Sequence, residues 1–208
     1  MILTPTQSRF LDWLDSHSFG QKVYFTGGTA LAYKYNHRLS TDLDFFSFDF
    51  LADYELLPFI QDIKTHFGVE KVTRQNVYNR NIFLFDEHLD NLKMEFTFFP
   101  FPRQKTGVNW KQSLSIDHPI DIGINKIHAV TERREVKDIY DIYYIMTYEK
   151  VSLEELIAWV ETKFGTAIEK LDLIARLNFI AKDIESIRPF LVGEDINTKI
   201  VRFYEAMI

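Results

Sequence analysis

Apolar residues recur along this chain with two different periods. In the first half they alternate with polar ones over short runs; in the second they return every three or four positions. Thr4-Pro5 ahead of Phe10, Leu11 and Leu14 predicts a capped first helix that closes near Gly20. KVYFT, rich in strand formers, predicts a short strand at 22–26. Gly27-Gly28 then turns the chain into a helix over 29–35, and TDLDFFSF predicts a second strand at 41–48. DYELLPFIQDIKTHF reads as a helix despite Pro58, with Gly68 just beyond its end. EKVTRQ, RNIFLFDE and LKMEFTFF predict strands in hairpin-like succession, with turns at Asn79 and 87–91. From Pro119 onward IGINKIHAVTERR, VKDIYDIYYIM, SLEELIAWVETKF and TAIEKLDLIARLNFI all carry the helical period. Ser152 with Glu155 and Thr166 with Glu169 read as capping boxes, and a last helix is expected over 197–207. The change of period near residue 115 divides the chain into an α/β core, 1–115, and a helical C-terminal region, 116–208.

Composition narrows the class. A chain of 208 residues, 46% hydrophobic and 15% aromatic, can bury one sizeable core or support a catalytic domain with a smaller appendage. No apolar run approaches the roughly 18 residues that cross a bilayer, so no membrane association is expected. The opening MILTPTQSRFLDWLDS lacks the basic flank, apolar stretch and small-residue cleavage site of a secretion signal. Without cysteine there is neither a disulfide framework nor thiolate chemistry, and a cytoplasmic location is the expectation. The net charge of −6 argues against a strongly basic nucleic-acid binder and is compatible with sites that hold divalent cations.

The candidate chemistry lies in the second strand. Residues i and i+2 of a strand point to one face, so Asp42 and Asp44 project together. Unpaired, they repel and each is desolvated; a divalent cation between them reverses the sign. Aspartate oxygens are hard ligands suited to Mg²⁺ or Mn²⁺, and no Cys or His cluster points to zinc. His37 stands alone and reads as a surface or packing histidine. Upstream, the strand–Gly27-Gly28–helix element offers backbone N–H groups at a helix N-terminus for a phosphate. Glu95 offers a third carboxylate: alternation in LKMEFTFF sets Lys93, Glu95 and Thr97 on one face, and Glu95 meets the same cations if its strand pairs beside Asp42 and Asp44. Farther on, Lys126 can neutralise phosphate charge and nearby arginines can bind it. Asp138 and Asp141 share a helical face, Asp138 placed to orient Lys126 or an arginine and Asp141 reading as structural.

GGTALAYKYNHRLSTDLDFF resembles the opening motif of the AbiEii/AbiGii-type nucleotidyltransferase toxins, a branch of the polymerase-β-like nucleotidyltransferase superfamily. Its elements stand here as Gly27, Gly28, Thr29, Ala30, Leu31, Arg38, Ser40, Asp42, Leu43 and Asp44, followed by Phe45 and Phe46. Most of the superfamily has Gly-Ser at the turn; the Gly-Gly here agrees with the toxin branch. INKIHAVTERREVKDIYDIYYI is similar to the family's later motifs, with Lys126, Arg133 or Arg134, Lys137, Asp138 and Asp141 at the matching positions. The resemblance covers about residues 20–148; beyond it only general helicity agrees.

The resemblance implies an α+β, polymerase-β-like fold: a mixed β-sheet with flanking helices, then a C-terminal helical bundle that completes the active site. It implies transfer of an NMP from an NTP to a tRNA 3′ end or a protein hydroxyl, with Mg²⁺ or Mn²⁺ held by Asp42, Asp44 and Glu95. Gly27, Gly28, Thr29, Arg38, Ser40 and Lys126 would then bind the nucleotide, and Asp138 would serve catalysis through Lys126. It also implies a toxin of a toxin–antitoxin or abortive-infection system, with an antitoxin encoded nearby. The basic stretch from Lys126 to Lys137 is the sequence's one weak hint of an RNA surface. Two other readings keep the fold: an antitoxin-type protein nucleotidylyltransferase, and a non-catalytic nucleotide-binding or regulatory partner module.

Overall fold

The strands pair into a mixed sheet whose apolar face is built mainly from phenylalanine. In a computed structural model, which describes residues 2–192 and 196–207, the elements are α1 (Pro5–Ser16), β1 (Tyr24–Thr26), α2 (Gly27–Tyr35), β2 (Leu43–Ser47), α3 (Asp53–Phe67), β3 (Val72–Val77), β4 (Arg80–Phe85), β5 (Lys93–Phe98), β6 (Val108–Asn109), β7 (Ser115–Ile116), α4 (Pro119–Glu132), α5 (Val136–Glu149), α6 (Leu153–Phe164), α7 (Lys170–Ala181) and α8 (Asn197–Glu205). Two units divide them: one holds 1–33, 40–102 and 107–117; the other holds 34–39, 103–106 and 118–208.

The first unit contains the sheet, in the order β3-β4-β5-β2-β1-β7-β6. Hairpin pairing joins β3 to β4 and β4 to β5, whereas β2 runs parallel to β5 and antiparallel to β1. On one face Phe45 stacks on Phe96 with ring centroids 5.2 Å apart, and Phe59 of α3 meets Phe96 edge-on at 5.7 Å. Phe10 of α1 closes over Phe45 at 6.2 Å. Each fully buried phenylalanine contributes about 1.5–3 kcal/mol, so this aromatic layer is what fixes the strand register. The other face is mixed: Tyr24, Phe46 and Ile82 lie on it beside the polar Thr26, Asp44 and Glu95.

Local signals explain most element boundaries. Thr4 caps α1 in a reciprocal capping box with Gln7, and α1 stops at Ser16, short of the Gly20 expected, because a 3₁₀ turn from Ser18 to Lys22 follows. Gly68 ends α3 in the left-handed conformation, φ 72°. Strand β2 begins at Leu43, so Asp42 sits just ahead of it.

In the second unit, α4–α8 bury Ile124, Ile127, Ile139, Ile142, Leu156 and Leu177. Ser152 and Glu155 form the expected capping box on α6. The Thr166–Glu169 box does not form: α7 starts at Lys170 with Glu169 as its N-cap, which makes no side-chain cap bond. Asp121 and Lys163 form a buried ion pair at 3.2 Å, and the Asp121 carboxylate also accepts the N–H groups of Gln104 and Lys105. Those bonds tie residues 103–106 into this unit.

Candidate active site

Register brings the carboxylates together. Parallel pairing of β2 with β5 sets Asp44 opposite Glu95, and antiparallel pairing with β1 sets Thr26 opposite Asp44. Partners across a strand pair share a face. The mixed face therefore carries a row of Thr26, Asp44 and Glu95, and the pairing condition set for Glu95 is met. Thr26 Oγ1 donates to Asp117 Oδ2 at 2.9 Å, which adds a third acidic residue at the end of the row.

Asp42 stands beside Lys93, whose Nζ lies 2.7 Å from Asp42 Oδ2; about two-fifths of each side chain is exposed. Burial pulls the Lys93 pKa down, but the bond to Asp42 and the charges of Asp42, Asp44 and Glu95 outweigh it and raise it. Glu95 Oε1 accepts from Thr97 Oγ1 at 3.2 Å and lies 3.4 Å from Arg80 Nη1.

The Gly27 turn presses on this row. Gly27 has φ +74°, and a Cβ there would lie 3.0 Å from Asp44 Cβ and Cγ and closer still to Oδ2. Glycine is thus required twice, by the backbone conformation and by the close approach of the carboxylate. We expect Gly27→Ala to destabilise the protein by about 1–3 kcal/mol; an unchanged melting temperature would contradict this packing. Gly28 follows in the first turn of α2. Thr29, fully buried, hydrogen-bonds Ser40 Oγ at 2.8 Å and the main-chain carbonyl of Asp42, so the first turn of α2 holds the segment that carries Ser40 and Asp42. Gln7 braces the same segment, with Nε2 donating to the carbonyls of Ser40 and Thr41 at 3.0 and 2.9 Å. Thr26, Asp117, Gln7 and the partner of Lys93 escape sequence reasoning, because each depends on a contact between distant segments.

The second unit holds the other predicted residues in a buried charge cluster. Arg38 grips Asp141 with Nε and Nη2, both at 2.7 Å. Lys126 Nζ lies 2.7 Å from both Asp138 Oδ1 and Asp141 Oδ2, and Arg133 Nη2 lies 2.9 Å from Asp138 Oδ2. His37 Nε2 is 2.7 Å from Asp141 Oδ1. It is a packing histidine, fully enclosed, not a surface one. Burial favours the neutral form of His37 and lowers its pKa against the pull of Asp141. For Asp141, burial is overcome by Arg38 and Lys126, which hold its pKa well below the usual carboxylate value. For Lys126, burial is overcome by Asp138 and Asp141, which raise its pKa. Asp138 thus positions Lys126, while the Arg38 fork is taken up by Asp141. Arg134 pairs with Asp183 instead.

A family profile described as "Nucleotidyl transferase AbiEii toxin, Type IV TA system" matches residues 9–208. The chain belongs to the AbiEii nucleotidyltransferase toxin family. This AbiEii-family chain is 31% identical over 167 residues to "Uncharacterized protein aq_aa25" of Aquifex aeolicus (strain VF5), covering 78% of this chain and 76% of that protein. Its fold is similar to that of JHP933 from Helicobacter pylori, with a TM-score of 0.55 and 16% identity, covering 100% of this chain and 96% of the other. It is also similar to the antibiotic-resistance factor ANT(2'')-Ia, with a TM-score of 0.52 and 12% identity over 78% of this chain and 92% of that one. The AbiEii-family chain therefore has the polymerase-β-like nucleotidyltransferase fold and is a toxin-type nucleotidyltransferase.

The AbiEii family implies a divalent metal ion, and the donor chemistry suits one. Asp42, Asp44 and Glu95 are hard oxygen ligands, two of them opposite each other on one sheet face. Among the described residues no three His, Asp or Glu side chains are gathered closely enough to enclose an ion as they stand; the Asp42 carboxylate faces Lys93.

Proposed function

We propose that this chain transfers a nucleoside monophosphate from an NTP to a hydroxyl on a tRNA 3′ end or a protein. The observation that carries the reading is the register of β2 and β5, which sets Asp44 against Glu95 beside the Gly27 turn. Asp42, Asp44 and Glu95 would hold Mg²⁺ or Mn²⁺, which when bound offsets phosphate charge and lowers the pKa of an acceptor hydroxyl. The chain contributes positioning. Backbone N–H groups of Gly27 and Gly28 at the start of α2 are the proposed phosphate donors, and Thr29 fixes Ser40 to add a hydroxyl. Lys126, held by Asp138, is the proposed counter-charge for the departing pyrophosphate. Arg38 is proposed to act on the nucleotide indirectly, by fixing Asp141 and through it Lys126. The family's type IV toxin–antitoxin description supports an antitoxin as partner, and no helix among the described residues is long and apolar enough to cross a membrane.

The test uses purified protein, each α-labelled NTP, Mg²⁺, and either total tRNA or cell lysate. Label should enter the RNA or the protein fraction, vanish with a chelator, and return with Mg²⁺ or Mn²⁺. Transfer that persists in the chelator, or in the Asp42→Asn plus Asp44→Asn variant, would overturn the proposal.

A further inference from the structure

We propose that Lys93 is a built-in counter-cation for the metal site: its ammonium holds the Asp42 carboxylate, and a divalent ion must displace it to gain Asp42 as a ligand. The inference rests on the reading of Asp42 as a metal ligand.

Lys93 opens β5, two residues before Glu95, and so lies on the carboxylate face. The register Leu43↔Met94 and Asp44↔Glu95 brings Asp42 beside Lys93 at the end of the paired strands. The Nζ–Oδ2 distance of 2.7 Å is that of a direct ion pair. Most exposed lysine–aspartate pairs are solvated decoration of small energy. This one differs in its surroundings, because the same ammonium is attracted by Asp44 and Glu95 as well. The Lys93 ammonium is therefore paired directly with Asp42 and lies in the field of the other two carboxylates that the proposed function assigns to a cation. Arg80 makes a looser approach to Glu95, at 3.4 Å, from a side chain two-fifths exposed.

Two consequences follow from Coulomb's law. In the metal-free protein the lysine relieves carboxylate repulsion, so the row can fold without an ion. An arriving divalent ion meets Asp42 already engaged, so the free protein binds metal more weakly than its carboxylates alone would allow. A nucleotide bringing its own ion would supply the extra attraction.

A thermodynamic cycle tests this. Mn²⁺ is titrated calorimetrically into the metal-free full chain as wild type, Lys93→Met, Lys93→Arg, Asp42→Asn and the Asp42→Asn/Lys93→Met double variant, with folding checked by circular dichroism. Lys93→Met should bind Mn²⁺ about two- to fivefold more tightly, in keeping with an ion pair exposed on both sides. Lys93→Arg should stay near wild type, and the gain should vanish in the Asp42→Asn background. No gain in Lys93→Met would overturn the proposal. So would a gain of equal size with Asp42→Asn, which would make Lys93 a distant charge only. Failure of the underlying reading looks different: Mn²⁺ binding would be indifferent to Asp42→Asn itself, and both proposals would fall together.

Discussion

Asp44→Asn is expected to lower nucleotidyl transfer at least about a thousandfold with the fold intact. A metal ion contributes several kcal/mol of transition-state charge stabilisation, and about 4 kcal/mol corresponds to that factor. Asp44 is the member of the row least able to be replaced: it is flanked in register by Thr26 and Glu95, and Gly27 lies against it. Asparagine keeps the size and one oxygen but removes the charge that a cation needs. Steady-state transfer of labelled NMP measures the loss, and circular dichroism with thermal melting shows that the fold survives. A variant that is folded and retains more than about a tenth of wild-type activity would remove Asp44 from the site.

The largest stability effect is expected at Asp141. Asp141→Ala should cost about 3–5 kcal/mol in urea denaturation, because removing one member of a buried ion pair leaves the others uncompensated. Here Arg38 loses both bonds of its fork and Lys126 one of its two carboxylates, with His37 losing its partner too. The same residue predicts the acid limb of stability. Its folded pKa lies well below the unfolded value, so its contribution is complete above about pH 4 and is lost as pH falls through the folded pKa. His37, lowered by burial, begins the decline earlier: below about pH 6.5 the unfolded chain takes up a proton that the folded chain refuses. Denaturation midpoints between pH 7 and 3 should therefore fall steadily in the wild type. A loss under about 1 kcal/mol for Asp141→Ala, or a flat pH profile, would contradict the cluster.

Some of this was legible in the residues and some was not. The strand within TDLDFFSF and its Asp44 declare themselves by period-2 alternation, whereas Asp42 falls just ahead of the strand. The helix at 53–67 is bounded by Gly68, and the Ser152 capping box is spelled out locally. Those signals are carried by neighbours in sequence. The parallel pairing of β2 with β5 joins segments some fifty residues apart, and nothing in either strand fixes that register before the phenylalanine layer packs. Lys93 could be placed on the carboxylate face by alternation, yet its contact with Asp42 needed the pairing. His37 gave no sign of its burial, since its partner Asp141 lies on α5. Strands β6 and β7, two residues each, are too short for any period to show. The Thr166–Glu169 pattern shows the converse: a good local signal that the start of α7 at Lys170 leaves unused.

The most direct measurement is anomalous diffraction from crystals of the protein grown with Mn²⁺ and a non-hydrolysable NTP. The account predicts a manganese peak about 2.0–2.3 Å from carboxylate oxygens of Asp44 and its neighbours Asp42 or Glu95, with the triphosphate against the Gly27-Gly28 turn. Nucleotide and manganese bound elsewhere, with the β2–β5 carboxylates bare, would contradict it.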